Sequence, residues 1–424
     1  MTTTATAPKD DNNRSPCAIP NVTDTDILIS GGGVAGLAAA AAFGKAGFSV
    51  ICVDPTPPVT GRTAAGADLR STAFLQPARL FLDRIGLWDR LAPEAMPLWV
   101  MRIVDAGGEA PTPRVIHDFN AADISDQPFG WNLPNWLLRR EMAAHLAQMP
   151  NVAFYPGIAT AHVLTRGAEA RVTLSDGTRI RAHLIVAADG RNSPVRRAVG
   201  VPVTTWCYGQ KALAFAATHT VPHENVSTEI HRFGGPFTLV PLPDYQGRPS
   251  SAIVWVERGP RIARLMALPP PDFEAEMTDR SGHLFGPLTL ASRRTVWPII
   301  SQYAQRMEAE RTALIAEATH VVPPIGAQGL NMSLADVRVL LDLAEAHRGD
   351  PGAAPVLRRY HRARHWKVLA RGAVINALNH ASMAQAQGLR DMRLQALNAL
   401  YAVAPLRRVL MRAGLGATGL VNGP

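Results

Sequence analysis

The amino-acid sequence predicts an α/β protein. A parallel sheet is interrupted by a second, mainly antiparallel sheet and is followed by a helical C-terminal region. Three observations point to this. Residues 26–54 read as strand, glycine turn, helix and strand. After about Val201 the composition shifts to short β-rich runs between Pro and Gly turns. Buried strand patterns return near residues 184 and 312, and helical periodicity dominates beyond Ser333.

The elements follow in order. Ile27–Ile29 and Phe48–Val53 are apolar runs on either side of the Gly31–Gly36 turn and the alanine-rich helix Leu37–Lys45. Residues 56–70 form a loop rich in Pro, Gly and Thr, and Ala78–Leu91 reads as one amphipathic helix. Val100–Phe119 alternates around Gly107-Gly108 and predicts a hairpin, and Pro134–Met149 predicts a helix with Pro near its start. Val152–Tyr155, Ala170–Leu174 and Arg179–Ala188 read as strands. In the inserted region, Lys211–Thr220, Ser227–Phe233, Phe237–Pro241 and Ala252–Glu257 are strand-like. Thr312–Ala318 predicts a buried strand and Ser333–His347 a helix.

A chain of 424 residues supports two or three structural units. The net charge is +9, carried by arginine, since only Lys9, Lys45, Lys211 and Lys367 are lysines. There is no dense basic run or nucleic-acid motif, so the charge reads as dispersed solvated arginines with no nucleic-acid partner. Cys17, Cys52 and Cys207 give neither a disulfide framework nor zinc spacing. Residues 1–24 are polar and lack an apolar signal core, which predicts a disordered leader and a reducing, cytoplasmic setting.

Gly31-Gly32-Gly33-Val34-Ala35-Gly36 fits GxGxxG. Gly31 permits the tight turn, Gly33 lets the backbone approach a pyrophosphate, and Gly36 allows close helix–strand packing. The amides of Val34 and Ala35 open the helix toward the phosphates. Asp54 lies 23 residues beyond Gly31, at the end of the second strand. A carboxylate there accepts from both ribose hydroxyls and repels a 2′-phosphate, which suits FAD or NAD over NADP. The motif alone does not separate a flavoprotein from a nicotinamide dehydrogenase.

Further motifs carry a resemblance. Asp68-Leu69-Arg70-Ser71-Thr72-Ala73 resembles the arginine-bearing segment of the class A flavoprotein monooxygenases. Arg139-Arg140-Glu141-Met142 with Leu146 resembles their R-x-x-L-x-x-x-L helix start, with Met142 in place of Leu. Ala187-Ala188-Asp189-Gly190-Arg191-Asn192-Ser193 looks like their A-D-G-x-x-S segment. Ala316-Glu317-Ala318-Thr319-His320-Val321-Val322-Pro323-Pro324-Ile325-Gly326-Ala327-Gln328-Gly329-Leu330-Asn331 resembles their second FAD fingerprint, G-D-A-A-H-x-x-P-P-x-x-G-Q-G-L-N. Ala316-Glu317 replaces the usual Gly-Asp, and Ala327 stands where Gly is common. This variant is similar to a subgroup of bacterial ubiquinone-biosynthesis hydroxylases.

The resemblance implies an interrupted Rossmann-like FAD-binding domain of the p-hydroxybenzoate-hydroxylase kind. Its expected first part spans residues 25–200, with some substrate-domain strands near 99–120. The substrate sheet is expected at 201–300, the second FAD-binding part at 301–350 and a helical region at 351–424. The implied cofactor contacts are Arg70, Arg139 and Asp189, with Glu317 on the ribityl chain and Pro324, Gly329, Leu330 and Asn331 around the ring. NAD(P)H is the implied transient electron donor. In that family, reduced flavin and oxygen give a hydroperoxide whose distal oxygen attacks an activated phenol ring. The implied substrate is a polyprenylphenol, and the implied partners are molecular oxygen and other ubiquinone-biosynthesis proteins. A hydroxylase of a small soluble aromatic, or a flavin-binding scaffold without activity, are the alternatives.

No residue is singled out as catalytic. His320 reads as a packed histidine bracing the fingerprint. His219, His223 and His231 lack metal-ligand spacing. Trp206, Trp255, Trp297 and Phe237 read as core before pocket. Near the end, Leu406, Val409 and Leu410 oppose Arg407, Arg408 and Arg412. That basic amphipathic pattern suits either the inner face of the cell membrane or docking on the protein's own domain or on a partner subunit.

Overall fold

The computed structural model describes residues 22–415 except 65, 69, 109–111 and 384–385. Most of the expected leader lies outside the described residues. β1 (Val22–Ser30), α1 (Val34–Lys45) and β2 (Val50–Asp54) form the opening unit. α1 is buried on nearly every side from Ala35 to Gly44. An all-apolar helix of small residues has no solvent face to give, and it sits pressed between the sheet and later helices.

After the loop come β3 (Ser71–Leu75), α2 (Gln76–Arg84), α3 (Trp88–Leu91) and β4 (Met96–Leu98). The single helix expected over Ala78–Leu91 is therefore broken. Ile85 caps its first part, and Gly86 takes φ +77°, a left-handed turn that glycine enters without steric cost. β5 (Val100–Asp105) and β6 (Val115–Asn120) make the expected hairpin, and β7 (Gly130–Pro134) leads into α4 (Asn135–Leu146). Then come β8 (Val152–Pro156), β9 (Thr160–Thr165), β10 (Ala170–Leu174), β11 (Arg179–Ala187) and α5 (Pro194–Ala198). β9 was not expected, because its outward positions give it no apolar alternation.

β12 (Val203–Thr218), β13 (Val226–His231), β14 (Pro236–Tyr245) and β15 (Arg248–Arg258) are followed by α6 (Gly259–Ala267) and α7 (Pro270–Arg280). Then come β16 (Thr289–Leu290), β17 (Thr295–Ala304), β18 (Glu308–Ala309), β19 (Thr312–Leu314) and β20 (His320–Val321). The strand expected over Thr312–Ala318 stops at Leu314. Ala316 takes φ +54° and opens a 3-10 turn, Ala316–Ala318, that leaves the sheet plane. α8 (Gln328–Glu345) starts five residues before the expected Ser333. α9 (Ala354–Ser382), α10 (Gln387–Ala402) and α11 (Ala404–Leu415) complete the helical region.

The first sheet has the parallel core β19-β11-β1-β2-β8, so β1, met first, sits centrally between strands from far along the chain. The second sheet runs β20-β17-β12-β15-β14-β13-β5-β6 and is antiparallel except where β13 meets β5. It thus takes in the hairpin near residues 100–120. One face of it packs on α6 and α7 through Leu213, Ile230, Phe237, Trp255, Phe273 and their neighbours. A third, three-stranded sheet, β3-β7-β4, meets the second through Asn132 of β7, whose Nδ2 donates to Pro241 O of β14 at 2.8 Å. No helix among the described residues is long and apolar enough to cross a membrane.

Candidate active site

The carboxyl ends of β1, β11 and β19 are laced together. Gly31 N–H donates to Val53 O at 2.8 Å, Ala188 N–H to Ser30 O at 2.7 Å and Ile315 N–H to Ala187 O at 3.0 Å. This brings three separated motifs to one sheet edge, where open α/β sheets bind ligands.

At the first turn the glycines do different work. Gly31 has φ +113°, and a Cβ there would run into the carbonyl of Ala188. A Cβ on Gly36 would run into the carbonyl of Gly31. Gly33 is the N-cap of α1, and a Cβ there meets nothing within 4 Å. No side chain caps α1, so the amides of its first turn, including Val34 and Ala35, face that open space. Asp54 closes the far side. Gly32 N–H donates to its Oδ2 at 2.6 Å and Thr56 N–H to its Oδ1 at 2.7 Å. Arg139, on α4, reaches the same loop by donating to Thr56 O at 3.3 Å, and its Nε is buried without a partner.

Asp189 follows β11. Its Oδ2 accepts from Val195 N–H at 3.1 Å, while Oδ1 is buried with no partner. Burial pushes this carboxyl above its ordinary range, against the hydrogen bonds from Ser193 and Val195. Arg70 forms a fork on Asp68, with Nε–Oδ1 at 2.9 Å and Nη2–Oδ2 at 2.7 Å, and lies 4.3 Å over the Trp297 ring. Burial works against its charge, but Asp68 and the nearby Glu317 carboxylate outweigh burial and hold the guanidinium more firmly protonated. Glu317 itself is exposed on the 3-10 turn.

The fingerprint loop then enters α8 through Ala327, at φ +55° and without a side-chain cap. Pro324 and Gly329 are exposed along it, and Leu330 is partly buried. The side chain of Asn331 clasps the neighbouring strand. Its Oδ1 accepts from Leu75 N–H at 2.8 Å, and its Nδ2 donates to Ala73 O at 2.8 Å and Ala327 O at 2.6 Å. The side chain pairs with β3 as a strand would, so only its backbone amide faces the helix opening. Behind the loop, His320 Nε2 meets Asp336 Oδ2 at 2.7 Å, and Arg364 Nε donates to Asp336 Oδ1 at 2.7 Å, all buried. His320 braces the fingerprint from inside the core. Trp255 and Phe237 are core, Trp206 is half exposed, and Trp297 supports Arg70.

Gly31, Gly33, Val34, Ala35, Gly36, Asp54 and Arg139 thus gather at one end of the edge. Arg70, Glu317 and the α8 opening gather at the other, with Asp189 between. Asp68, which orients Arg70, is a site residue that the motif reading misses, although its i, i+2 spacing to Arg70 is a local signal. An elongated anionic dinucleotide fits this set. The space over Gly33 admits a pyrophosphate, the two uncapped helix starts supply donors, and Asp189 Oδ1 and Arg139 Nε await partners.

The model of the FAD binding domain family matches residues 24–371. Ubiquinone hydroxylase UbiL of Rhodospirillum rubrum is 34% identical over 404 residues, spanning 94% of this chain and 91% of that protein. Ubiquinone hydroxylase UbiM of Neisseria meningitidis is 26% identical across 79% of this chain and 72% of its own length. The crystal structure of p-nitrophenol 4-monooxygenase PnpA from Pseudomonas putida DLL-E4 superposes with a TM-score of 0.76 at 18% identity, covering 93% of this chain and 99% of that one, a shared fold. With the sheet edge and its cradle in place, the chain belongs to the FAD-binding monooxygenase family, alongside the ubiquinone hydroxylases, and is an FAD-dependent aromatic-ring hydroxylase.

Proposed function

We propose that the substrate is a polyprenylphenol intermediate of ubiquinone biosynthesis, hydroxylated on its ring with one atom of molecular oxygen and electrons from NAD(P)H. The observation that carries this reading is the similarity to ubiquinone hydroxylase UbiL along 94% of the chain. When bound, FAD supplies the activation of oxygen. The chain's own residues bind and orient. The Gly31–Gly36 turn holds the pyrophosphate, Asp54 accepts from the adenosine ribose, and Arg139 and Asp189 complete the contacts their free atoms invite. Glu317 accepts from the ribityl hydroxyls, and Arg70 steadies that carboxylate. Near the ring, Pro324 lines the loop. The first amides of α8, at Gly329, Leu330 and Asn331, hold negative charge on the pyrimidine edge.

The helical region packs over the hairpin beside this space. His117 stacks on Tyr401 of α10 at 4.0 Å between ring centroids, and Met411 and Leu415 of α11 pack with Leu75 and Met101. The outer side of the same helices leaves Leu389, Met392, Val403, Leu406, Val409 and Leu410 exposed beside Arg408 and Arg412. This suits peripheral contact with the anionic inner face of the cell membrane, where a prenyl tail resides. Each CH₂ of that tail buried in the protein contributes ~0.8 kcal/mol, so apparent affinity rises with tail length.

The test is deletion of the gene with mass spectrometry of quinone precursors, in a strain without a redundant hydroxylase. A deoxy or demethoxy intermediate should accumulate, and label from oxygen gas, not from water, should enter the hydroxyl. Normal quinone levels with no such intermediate would overturn the reading and favour a small aromatic substrate.

A further inference from the structure

The geometry points to His231 as the base that takes the phenolic proton of the substrate, with Glu229 as its positioning residue. This rests on the phenol reading above. Ser227, Glu229 and His231 alternate onto one face of β13, opposite Ile230, which is buried against the α6–α7 core. The Ser227 end of this face adjoins the cofactor edge. Ser227 pairs with Met101 on β5, Met101 packs with Leu75, and Leu75 N–H is held by Asn331 on the fingerprint helix. From the other side α10 roofs it. Glu229 pairs with Ile103, Ile103 pairs with His117, and His117 carries Tyr401.

The two side chains are 13% and 21% exposed, and His231 Nε2 lies 2.8 Å from Glu229 Oε1. His231 Nδ1 is buried with no partner. Buried polar atoms are nearly always satisfied, so an orphaned imidazole nitrogen calls for an explanation. Burial works against the charge on Glu229, but the hydrogen bond from His231, with the charge of Arg393, outweighs it and holds the carboxyl below its ordinary range. An ionised carboxylate only accepts, so Nε2 carries a hydrogen toward Glu229, and Nδ1 is the nitrogen whose lone pair takes a proton when the ring acts as base. The charged groups around the pair are nearly balanced. Asp105 sits beside His231 in register, tied to Arg114 at 2.7 Å and Arg393 at 3.0 Å, and Arg280 lies behind on the Gly235 carbonyl.

The step itself is simple. The phenol O–H bond breaks, its proton goes to Nδ1, and the electron pair stays on oxygen, where it enriches the ring for attack by electrophilic oxygen. Glu229 stabilises the imidazolium through Nε2–H. When the hydroxylated ring has lost its ring proton to water, the phenolate takes the first proton back from Nδ1. The pair ends as it began, while oxygen and NAD(P)H balance the oxidation.

The test uses FAD-loaded protein with 2-geranylphenol as substrate and 2-prenyl-4-nitrophenol as a non-turnover probe whose ionisation is visible. His231→Asn should lower kcat about 100-fold, in the range of general-base catalysis, with KM changed only a few-fold. Its rate should climb about tenfold per pH unit toward the phenol's own pKa of ~10, where no base is needed. Nitrophenolate absorbance of the bound probe should appear at lower pH in the wild type than in His231→Asn or Glu229→Gln. If His231→Asn does not fold, Glu229→Gln alone carries the test, with the same pH-dependent recovery expected. Variants that match the wild type in rate, pH profile and probe ionisation overturn the pair alone, as does a loss that high pH does not restore. A wild type that hydroxylates no prenylated phenol removes the substrate reading, and the pair with it.

Discussion

The two cofactor turns solve the same problem with different residues. In the first, Gly31 and Gly36 are walled in by carbonyls, so any Cβ collides with backbone. In the second, Ala316 and Ala327 stand at left-handed φ values of +54° and +55°, a conformation that glycine enters without steric cost. The first demand is steric and absolute. The second is conformational, costing roughly 1–2 kcal/mol for each alanine, and it is tolerated because the surroundings fix the loop. Those surroundings are the buried His320–Asp336–Arg364 chain behind the turn and the Asn331 clasp on β3.

The sharpest way to break the comparison is to remove that brace. Asp336→Asn leaves Arg364 buried without its counter-charge and should destabilise the fold by about 3–5 kcal/mol, read by denaturant unfolding. The same group sets an acid limb. Burial opposes ionisation of Asp336, but Arg364 and His320 outweigh it and depress its folded pKa. Its contribution is therefore present above the unfolded carboxyl value of ~3.9 and is lost as pH falls toward the lower folded value. In Asp336→Asn that part of the acid limb should flatten. An unchanged unfolding curve would show that the second turn stands without its brace.

Next in size is the contrast within the first turn. Gly36→Ala should cost on the order of 3 kcal/mol, because the colliding carbonyl belongs to the turn itself. Gly33→Leu should leave the melting temperature nearly unchanged and abolish FAD retention, since its side chain enters open space meant for the cofactor. Equal effects of both on folding would erase the distinction between a packing glycine and a binding one.

Glu317→Ala should weaken FAD by ~1.5–3 kcal/mol, the range for a hydrogen bond to a charged group, with Glu317→Asp milder. Fluorescence titration of apoprotein with FAD checks this, and unchanged affinity would assign Glu317 to Arg70 alone. The smallest effect is a gain. Ala327→Gly relieves the left-handed strain but adds unfolded-state entropy, for a net stabilisation of roughly 0.5–1 kcal/mol in thermal melts. A loss would mean that the alanine methyl has packing value of its own.

What could be read from the sequence follows the same division. The Gly31–Gly36 turn and Asp54 were legible because their spacing is fixed by backbone sterics and one strand length. α8 was read five residues short, since Gly329–Asn331 looks like loop until the Asn331 clasp shows why a helix starts there. Thr312–Ala318 looked like one strand because alanine hides its left-handed φ from any propensity. β9 escaped because its outward-facing edge carries no alternation. Glu229 and His231 had a signal, i and i+2 within a strand, but only the buried, unpartnered nitrogen gives that spacing a meaning.

The central place of β1 has a consequence for synthesis of the chain. β1 pairs with β11, and β11 with β19, so the parallel sheet cannot close until Thr312–Leu314 has been made, about 280 residues after Ser30. At ~5–20 residues per second this leaves the sheet incomplete for roughly 15–60 s. During that interval the open edge is first that of β1, until Arg179–Ala187 is made, and then that of β11 at Ile185–Ala187, a natural client for a chaperone. FAD, whose site spans both ends of that delay, joins a chain that is nearly finished.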